Sequence, residues 1–387
     1  MGNSTPLSAG HMLQLVREGK ARTRRDLIAV TGLARSTVTQ RVDQLIEAGY
    51  LEESGVGTST GGRPPSVLSP RSSAGVVLVA DIGATHCRAA LTDLAANSLV
   101  EDTVKVRIEQ GPETVLSWLR DTFLALLERT GRKEDLCGVG LGLPGPVEFA
   151  SGKVVQPPIM PGWHDYPVRE YLRATFDVPI LVDNDAKVLA LGEWASGWRD
   201  SSSFVLVKVG TGIGCGIVIG GKVYRGIDSA AGDIGHVRLS EHHDDVCACG
   251  ARGCVASVAS GAALARRLRE QGKEARDSHD VVRLVQAGDT EAVTLTRESG
   301  QLLGEVLATV VSLLNPGVLM LAGNMAETHE HFLTGIREVV YRSSLPLATR
   351  NLEIVTSRLK ERAGVVGAAT MVVDYLLSAE VVDARLS

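Results

Sequence analysis

Three cysteines fall within eight residues at Cys247-Ala-Cys249-Gly-Ala-Arg-Gly-Cys254, with glycines that permit a tight knuckle. Six cysteines in 387 residues are too few for a disulfide framework, so this crowding points to a metal. His236, in the stretch GDIGH, precedes Cys247 by eleven positions. Three thiolates and one imidazole fill the tetrahedral shell of zinc and leave no open position. The set His236, Cys247, Cys249 and Cys254 therefore predicts one structural Zn2+ per chain. Free thiols are the alternative. His242 and His243 are rival fourth ligands, but they stand in the polar run EHHDD, which reads as a solvated loop.

Two glycine-rich loops suit phosphate. Asp81-Ile-Gly83-Ala-Thr85 follows an apolar strand; its carboxylate can hold a metal-bound phosphate, while Gly83 and Thr85 admit backbone and hydroxyl groups to phosphate oxygens. Gly210-Thr211-Gly212-Ile-Gly214-Cys-Gly216 is the second loop. Its spacing is not the dinucleotide fingerprint, and a strand rather than a helix follows it. A tight hairpin that needs glycine for positive φ is the competing explanation. Because each loop follows the first strand of an α/β unit, phosphate binding is the better reading. Leu181-Val-Asp-Asn-Asp-Ala186 ends a strand and opens a helix. Asp185 at the strand's carboxyl end could accept a proton from a substrate hydroxyl, or it could be a helix cap; local sequence leaves the two equal.

The first 70 residues differ in texture. They carry a net charge of +2 against −7 for the remainder, a basic head on an acidic body. Met12, Leu13 and Val16 mark a first helix ending at Gly19; Leu27, Ile28 and Val30 mark a second ending at Gly32. Leu33, Val38, Val42, Leu45 and Ile46 mark a third ending at Gly49, and Tyr50-Leu51 starts a strand. This order predicts a winged helix-turn-helix. The third helix offers Arg35, Ser36, Thr37, Thr39, Gln40 and Arg41, types that suit base edges and phosphates of double-stranded DNA, although a solvated face is the ordinary meaning of such a run. Arg63 in GGRPP, between prolines on a glycine loop, suits a narrow A·T-rich minor groove. The stretch Ser54–Ser72, rich in Gly, Ser and Pro, reads as a linker or loop, so the boundary is set near residue 70.

The elements that must position these groups alternate. VVLVADIG is a buried strand; CRAALTDL and SLVEDTVKV form hairpins with it; Thr114–Arg129 is a helix; CGVGLGLPG and VPILVDND are strands. A second round starts at FVLVKVGTG and runs through IGCGIVIGG, KVYRG and VLMLAG, with helices at about 261–271, 291–314 and 363–378. Two α/β units of one plan predict a duplicated fold. With 44% hydrophobic and 22% charged residues the chain is not disordered. It has no run of 18 apolar residues, and its start lacks the order of a secretory signal, so a cytoplasmic protein without a membrane partner is expected.

Together these residues resemble the ROK family, in which sugar kinases and sugar-responsive repressors share one body. DIGAT, GLPGPV, LVDNDAKVLALGE, GTGIG, GDIGH and CACGARGC carry the likeness, which covers nearly the whole chain. The head with GGRPP looks like the repressor branch. The resemblance implies an α/β, two-lobed, actin-like and hexokinase-type ATPase fold built from duplicated ribonuclease-H-like units. It implies residues 75–195 as the first lobe, joined by a helix at about 363–380, and 196–362 as the second lobe with the zinc site and dimer interface. It further implies a homodimer or dimer of dimers and a hinge pocket for a sugar or sugar phosphate. Asn184 and Asp185 match the family's sugar-contacting pair and Asp185 its catalytic base; His236 matches a residue that binds zinc and touches sugar, and Asp233 completes the pocket candidates. Ala84 stands where the family usually has Gly, Asp233 where it has Glu, Ala256 where it has Glu, and Ile159 where it has Asn. Those changes remove polar anchors, so the expectation is a repressor of carbohydrate genes with little or no kinase activity. A sugar kinase with an accessory head, and a DNA-binding protein whose body is only a dimerisation scaffold, are the competing readings.

Overall fold

The computed structural model describes residues 7–56, 66–242, 244–328 and 330–387, with the backbone alone at 54–56. The head contains α1 (Ala9–Arg17), α2 (Arg24–Thr31) and α3 (Arg35–Glu47), then the antiparallel pair β1 (Leu51–Val56) and β2 (Ser66–Pro70). Local chemistry sets its helix ends. The Thr23 side chain accepts from Asp26 N while Asp26 accepts from the Thr23 backbone, a reciprocal cap. Gly32 takes φ +67° in the turn before α3, a left-handed conformation that favours glycine. Three expectations are corrected here. Ser66–Pro70 is a strand rather than linker, because Leu68 enters the head's core and the ladder pairs it with Glu53. Leu33 lies in the turn rather than on α3, and Val30 is 54% exposed rather than part of an apolar face.

The body holds two five-stranded sheets of one plan. The first comprises β3 (Val76–Ile82), β4 (Cys87–Asp93), β5 (Ser98–Val104), β6 (Leu136–Leu143) and β9 (Ile180–Asn184), with β7 (Val147–Glu148) and β8 (Lys153–Val154) as a side ribbon. The second comprises β10 (Ser203–Val209), β11 (Ile213–Ile219), β12 (Lys222–Val223), β13 (Val318–Ala322) and β14 (Glu353–Thr356). Each runs third-second-first-fourth-fifth in its own count, with an antiparallel meander followed by parallel crossovers. The duplication expected from the sequence is thus present in the strand order. Helices α4 (Pro112–Thr130) and α5 (Val168–Arg173) cover the first sheet. Helices α7 (Val255–Ala259), α8 (Gly261–Glu270), α9 (Ser278–Gln286), α10 (Thr290–Leu314), α11 (Glu330–Ser343) and the short α12 (Pro346–Thr349) belong to the second unit.

Between the sheets, α6 (Asp185–Gly197) packs on α13 (Ala363–Leu376), and α14 (Ala379–Leu386) closes the chain. The crossing is held by absent side chains. A Cβ on Gly192 would lie 2.7 Å from Gly367 N, and one on Gly367 would lie 3.0 Å from Gly192 N and closer still to the Val188 carbonyl. On β6, Gly138 and Gly140 share the face that receives α13; a Cβ at Gly140 would come 2.7 Å from Ala368 O. Among the described residues no single helix is long and apolar enough to cross a membrane. The apolar α13 is buried in a core that also includes Met12, Leu13, Leu27 and Val42 of the head.

Gly367→Ala must push α6 from α13, and overpacking of this kind costs roughly 1–3 kcal/mol. Urea unfolding should show a loss of that size. Gly197→Ala, whose Cβ would meet nothing nearer than an Arg358 nitrogen at 3.8 Å, should be within about 1 kcal/mol of the parent. Equal effects of the two substitutions would refute the tight-crossing account.

Candidate functional site

A cleft of about 390 Å3 lies where the carboxyl end of β9 meets the second sheet unit. Asn184 caps α6: its Oδ1 accepts from Lys187 N at 3.3 Å, while its Nδ2 donates to Gly145 O at 2.9 Å. Asp185 is the first residue of α6, where N–H groups and the helix dipole favour a carboxylate. Its Oδ1 accepts from Ala186 N at 2.7 Å, and its Oδ2 accepts from Lys208 Nζ at 2.5 Å. The cap is Asn184 rather than Asp185, whose carboxylate instead lines the cleft.

Nine of the ten residues selected from sequence for phosphate and effector line this one cavity: Gly83, Thr85, Gly210, Thr211, Gly212, Asn184, Asp185, Asp233 and His236. The tenth, Asp81, lies behind the wall; it is 7% exposed, and its Oδ1 is buried with no hydrogen-bond partner. Ala84, Ile159 and Ala256, the departures noted above, also line the cavity. Neither Gly210 nor Gly212 has positive φ, and a Cβ on either would meet nothing within 4 Å. They form the tight turn between β10 and β11, but positive φ is not what requires glycine there, and they face open space. Gly214 and Gly216 are required for another reason: a Cβ on Gly214 would lie 3.1 Å from Ala186 Cβ, so they admit the start of α6.

Sequence reasoning missed several cleft residues. Lys208 interrupts the apolar strand FVLVKVGTG, a signal that was visible in the sequence. His86 stacks over Gly83, where a Cβ would stand 2.9 Å from its Cε1. Burial, and then the Lys208 charge, lower its pKa. Lys187 donates to Ser229 O, and Arg225 Nε to Asp183 Oδ2 at 2.8 Å, with the guanidinium 3.8 Å from the Phe149 ring centroid. These contacts join the two sheet units below the cleft. Burial raises Asp183 and lowers Lys187, the opposing charges of this cluster acting against both shifts.

Burial lifts the Asp81 carboxyl to about 6; Lys208 opposes the shift and Asp185 adds to it. Burial works against the Lys208 ammonium, but Asp185 and then Asp81 outweigh it, so its pKa is raised.

The ligand atoms of His236, Cys247, Cys249 and Cys254 lie within 4.8 Å of one another. Cys247 Sγ is 3.6 Å from His236 Nδ1, and Cys249 Sγ is 3.8 Å from Cys254 Sγ. A tetrahedral zinc with Zn–S near 2.3 Å sets sulfur–sulfur edges of about 3.8 Å, so the cluster fits a metal of that size. Cys247 N donates to Ala251 O at 2.8 Å, and Gly250 at φ +86° makes the knuckle possible. His236 Nε2 points the other way, 3.9 Å from Asp233 Oδ1. His242 pairs its Nδ1 with Asp245 Oδ2 at 3.3 Å and stands outside the cluster; His243 lies outside the described residues.

On α3, Arg35, Ser36 and Gln40 are exposed, while Thr37, Thr39 and Arg41 are half-buried, with Arg41 Nη1 shielded and unpartnered. Arg24 pairs with Asp43 at 2.5 Å and with Glu53, tying α2, α3 and β1 together. Arg63 lies outside the described residues.

The buried Asp81 gives a pH test. Its folded pKa is above the ordinary carboxylate value, so the folded state keeps this proton where the unfolded chain has lost it. The stabilisation is complete below about pH 4 and is lost as pH rises through 6. Asp81→Asn does not titrate, so its stability relative to the parent should rise between pH 4 and 6.5 by on the order of 2 kcal/mol. Parallel pH profiles in urea unfolding would contradict this.

Comparison with known proteins agrees with the geometry. The profile of the ROK family matches residues 77–375. The xylose repressor of Caldicellulosiruptor bescii is 32% identical over 98% of this chain and 99% of its own. Among solved structures, a ROK family transcriptional regulator described as a homologue of the Escherichia coli MLC protein shares the fold with TM-score 0.83, at 24% identity over 98% of each chain. A ROK family glucokinase from Streptomyces griseus, solved with glucose and AMPPNP, matches with TM-score 0.65 and 27% identity over 77% of this chain and 99% of its own. The repressor matches extend through the head and the kinase match does not require it; on the profile match over most of its length, the chain belongs to the ROK family.

Proposed function

We propose that this chain is a transcriptional repressor of carbohydrate genes, binding operator DNA through its head and a sugar-class effector in its cleft. The observation that carries the reading is the continuity between the two. Helix α6 starts at Asp185 in the cleft and packs on α13 through Gly192 and Gly367. The end of α13 and α14 hold α1 of the head: Arg17 pairs with Asp374 at 2.7 Å, Gln14 Nε2 donates to Leu377 O at 2.5 Å, and Gly10 N donates to Asp383 Oδ1 at 2.8 Å. A ligand that prefers one arrangement of the sheet units would thereby bias the head, to the extent of its differential affinity.

Roles follow in this reading. Residues 1–70 form the DNA-binding domain; 75–195 with the helix at about 363–380 form the first lobe, and 196–362 the second lobe, which carries the zinc and the surface for a homodimer. Arg35, Ser36, Thr37, Thr39, Gln40 and Arg41 read the major groove; Arg63 enters the minor groove. Asn184, Asp185, Asp233 and His236 contact the effector, beside the phosphate loops at Asp81, Gly83 and Thr85 and at Gly210, Thr211 and Gly212. Phosphoryl transfer is absent or very weak, because Ala84, Ile159 and Ala256 replace the groups that would hold a sugar and its phosphate donor in line. The xylose repressor relative puts pentoses first among effectors to try.

The function is tested by fluorescence anisotropy on DNA fragments flanking the chain's own gene, with and without a panel of pentoses, hexoses and their phosphates. One sugar should shift operator affinity. Gln40→Ala should weaken operator binding by roughly 1–3 kcal/mol. Asp185→Ala should keep operator binding and blunt the sugar response; a normal response would refute the pocket assignment. A coupled assay with ATP, magnesium and the same panel should show no turnover.

The metal assignment has its own test. Elemental analysis of native protein should find about one zinc per chain, and Cys249→Ser should lose it together with order in the loop before α7. Native protein without zinc would overturn the assignment.

A further inference from the structure

Lys208 is a charged cleft residue that the resemblance to sugar kinases does not account for. Phosphoryl transfer from a nucleotide uses a divalent cation between carboxylates and phosphate oxygens. The acidic groups that would face such a cation here are Asp185 and, behind it, Asp81. The residues present do not fit that cation, because a lysine has entered the same space. Lys208 Nζ stands 2.5 Å from Asp185 Oδ2, and Asp185 Oδ1 is already engaged by Ala186 N. Both carboxylate oxygens are therefore engaged, and the ammonium takes the position against Oδ2 that a cation would need, while Oδ2 keeps a second lone pair for a hydroxyl.

The lysine is placed for this contact, and among the described residues its ammonium has no other hydrogen-bond or ion-pair partner. Its strand neighbours Val207 and Val209 are fully buried on the opposite face. Its partners in the sheet are Gly214 on β11 and Ala322 on β13, which carry no polar side chain. Its acceptor comes from the other sheet unit, at the start of α6. Asp81 adds to the same field, since it raises the Lys208 pKa as Asp185 does. An ordinary surface salt bridge would leave its ammonium largely hydrated, whereas the Lys208 side chain is only 22% exposed and its partner 11%.

We propose that Lys208 is an internal counter-ion, holding the place of a divalent cation beside Asp185 and Asp81, so that the cleft binds its ligand without metal and without phosphoryl transfer. The inference rests on the reading of this cleft as an effector pocket. It assigns Lys208 a positioning role: Asp185 remains a hydrogen-bond acceptor for a sugar hydroxyl, with its charge already balanced. Effector binding is then indifferent to magnesium.

The test uses the full-length, zinc-loaded protein and Mn2+ as probe, read by electron paramagnetic resonance titration. The wild type should bind no Mn2+ that is lost on Asp185→Asn. Lys208→Met, of similar length and no charge, should gain a Mn2+ site at least about tenfold tighter than any wild-type site, and Lys208→Met with Asp185→Asn should lose it again. Lys208→Gln gives the same readout if the methionine variant does not fold, and Lys208→Arg should behave as wild type. A wild-type Mn2+ site that depends on Asp185, or a folded Lys208→Met or Lys208→Gln that gains none, overturns the proposal. Phosphoryl transfer from ATP to a sugar by the wild type, abolished in Asp185→Asn, would instead overturn the effector-pocket reading itself. No transfer together with no gained site would sink the counter-ion inference alone.

Discussion

The rest of this structure depends on the contact of α6 with α13 through glycine. Gly192 and Gly367 let the two backbones approach until a single methyl group would collide with a carbonyl. Gly364, one turn earlier on α13, likewise faces Asp81, where a Cβ would lie 2.5 Å from that residue's own Cβ. Close packing transmits strain because interiors have few voids and little compressibility. Whatever moves the start of α6 in the cleft is therefore felt along α13. At the far end of α13 the head is fastened by Arg17, Gln14 and Gly10, and its core is continuous with the body's.

The cleft itself is an electrostatic compromise. Two carboxylates approach one another at the switch between sheet units, and one of them, Asp81, is buried with an oxygen unpartnered. Such an arrangement is costly unless a cation balances it. Lys208 supplies that cation from β10, and its charge adds to burial in lowering the pKa of His86. The Cys/His cluster borders the same cleft through His236 and Cys247. By turning His236 Nδ1 to the sulfurs it leaves Nε2 aimed toward Asp233, so the same knuckle that orders the loop also orients a cavity residue.

Much of this was legible in the chain. The Cys-x-Cys-x4-Cys spacing with an upstream histidine carried its own geometry, because ligands so close in sequence need only a local turn to converge. The apolar runs at 76–82 and 204–209 were readable as buried strands because both faces are covered. The Ser66–Pro70 strand was not, since serine and proline are turn formers and only pairing with β1 and burial of Leu68 make it a strand. The glycines at 210 and 212 were recognised as special without the sequence saying whether φ or open space was the reason; the backbone decides for space.

By itself, then, the sequence determined most of the elements, the repeat of one plan, the residues of the Cys/His cluster and the family, because each rests on residue types at short, fixed spacings. Only the tertiary structure decided which distant charges meet. That Lys208 balances Asp185, that Arg225 clamps Asp183 over Phe149, and that α14 grips the head are contacts between segments from about 20 to more than 370 residues apart. No local pattern encodes them, because side-chain pairing across a cleft depends on how two sheets are set against each other. That setting is fixed by the packing of α6 and α13, where the decisive residues are those with no side chain at all.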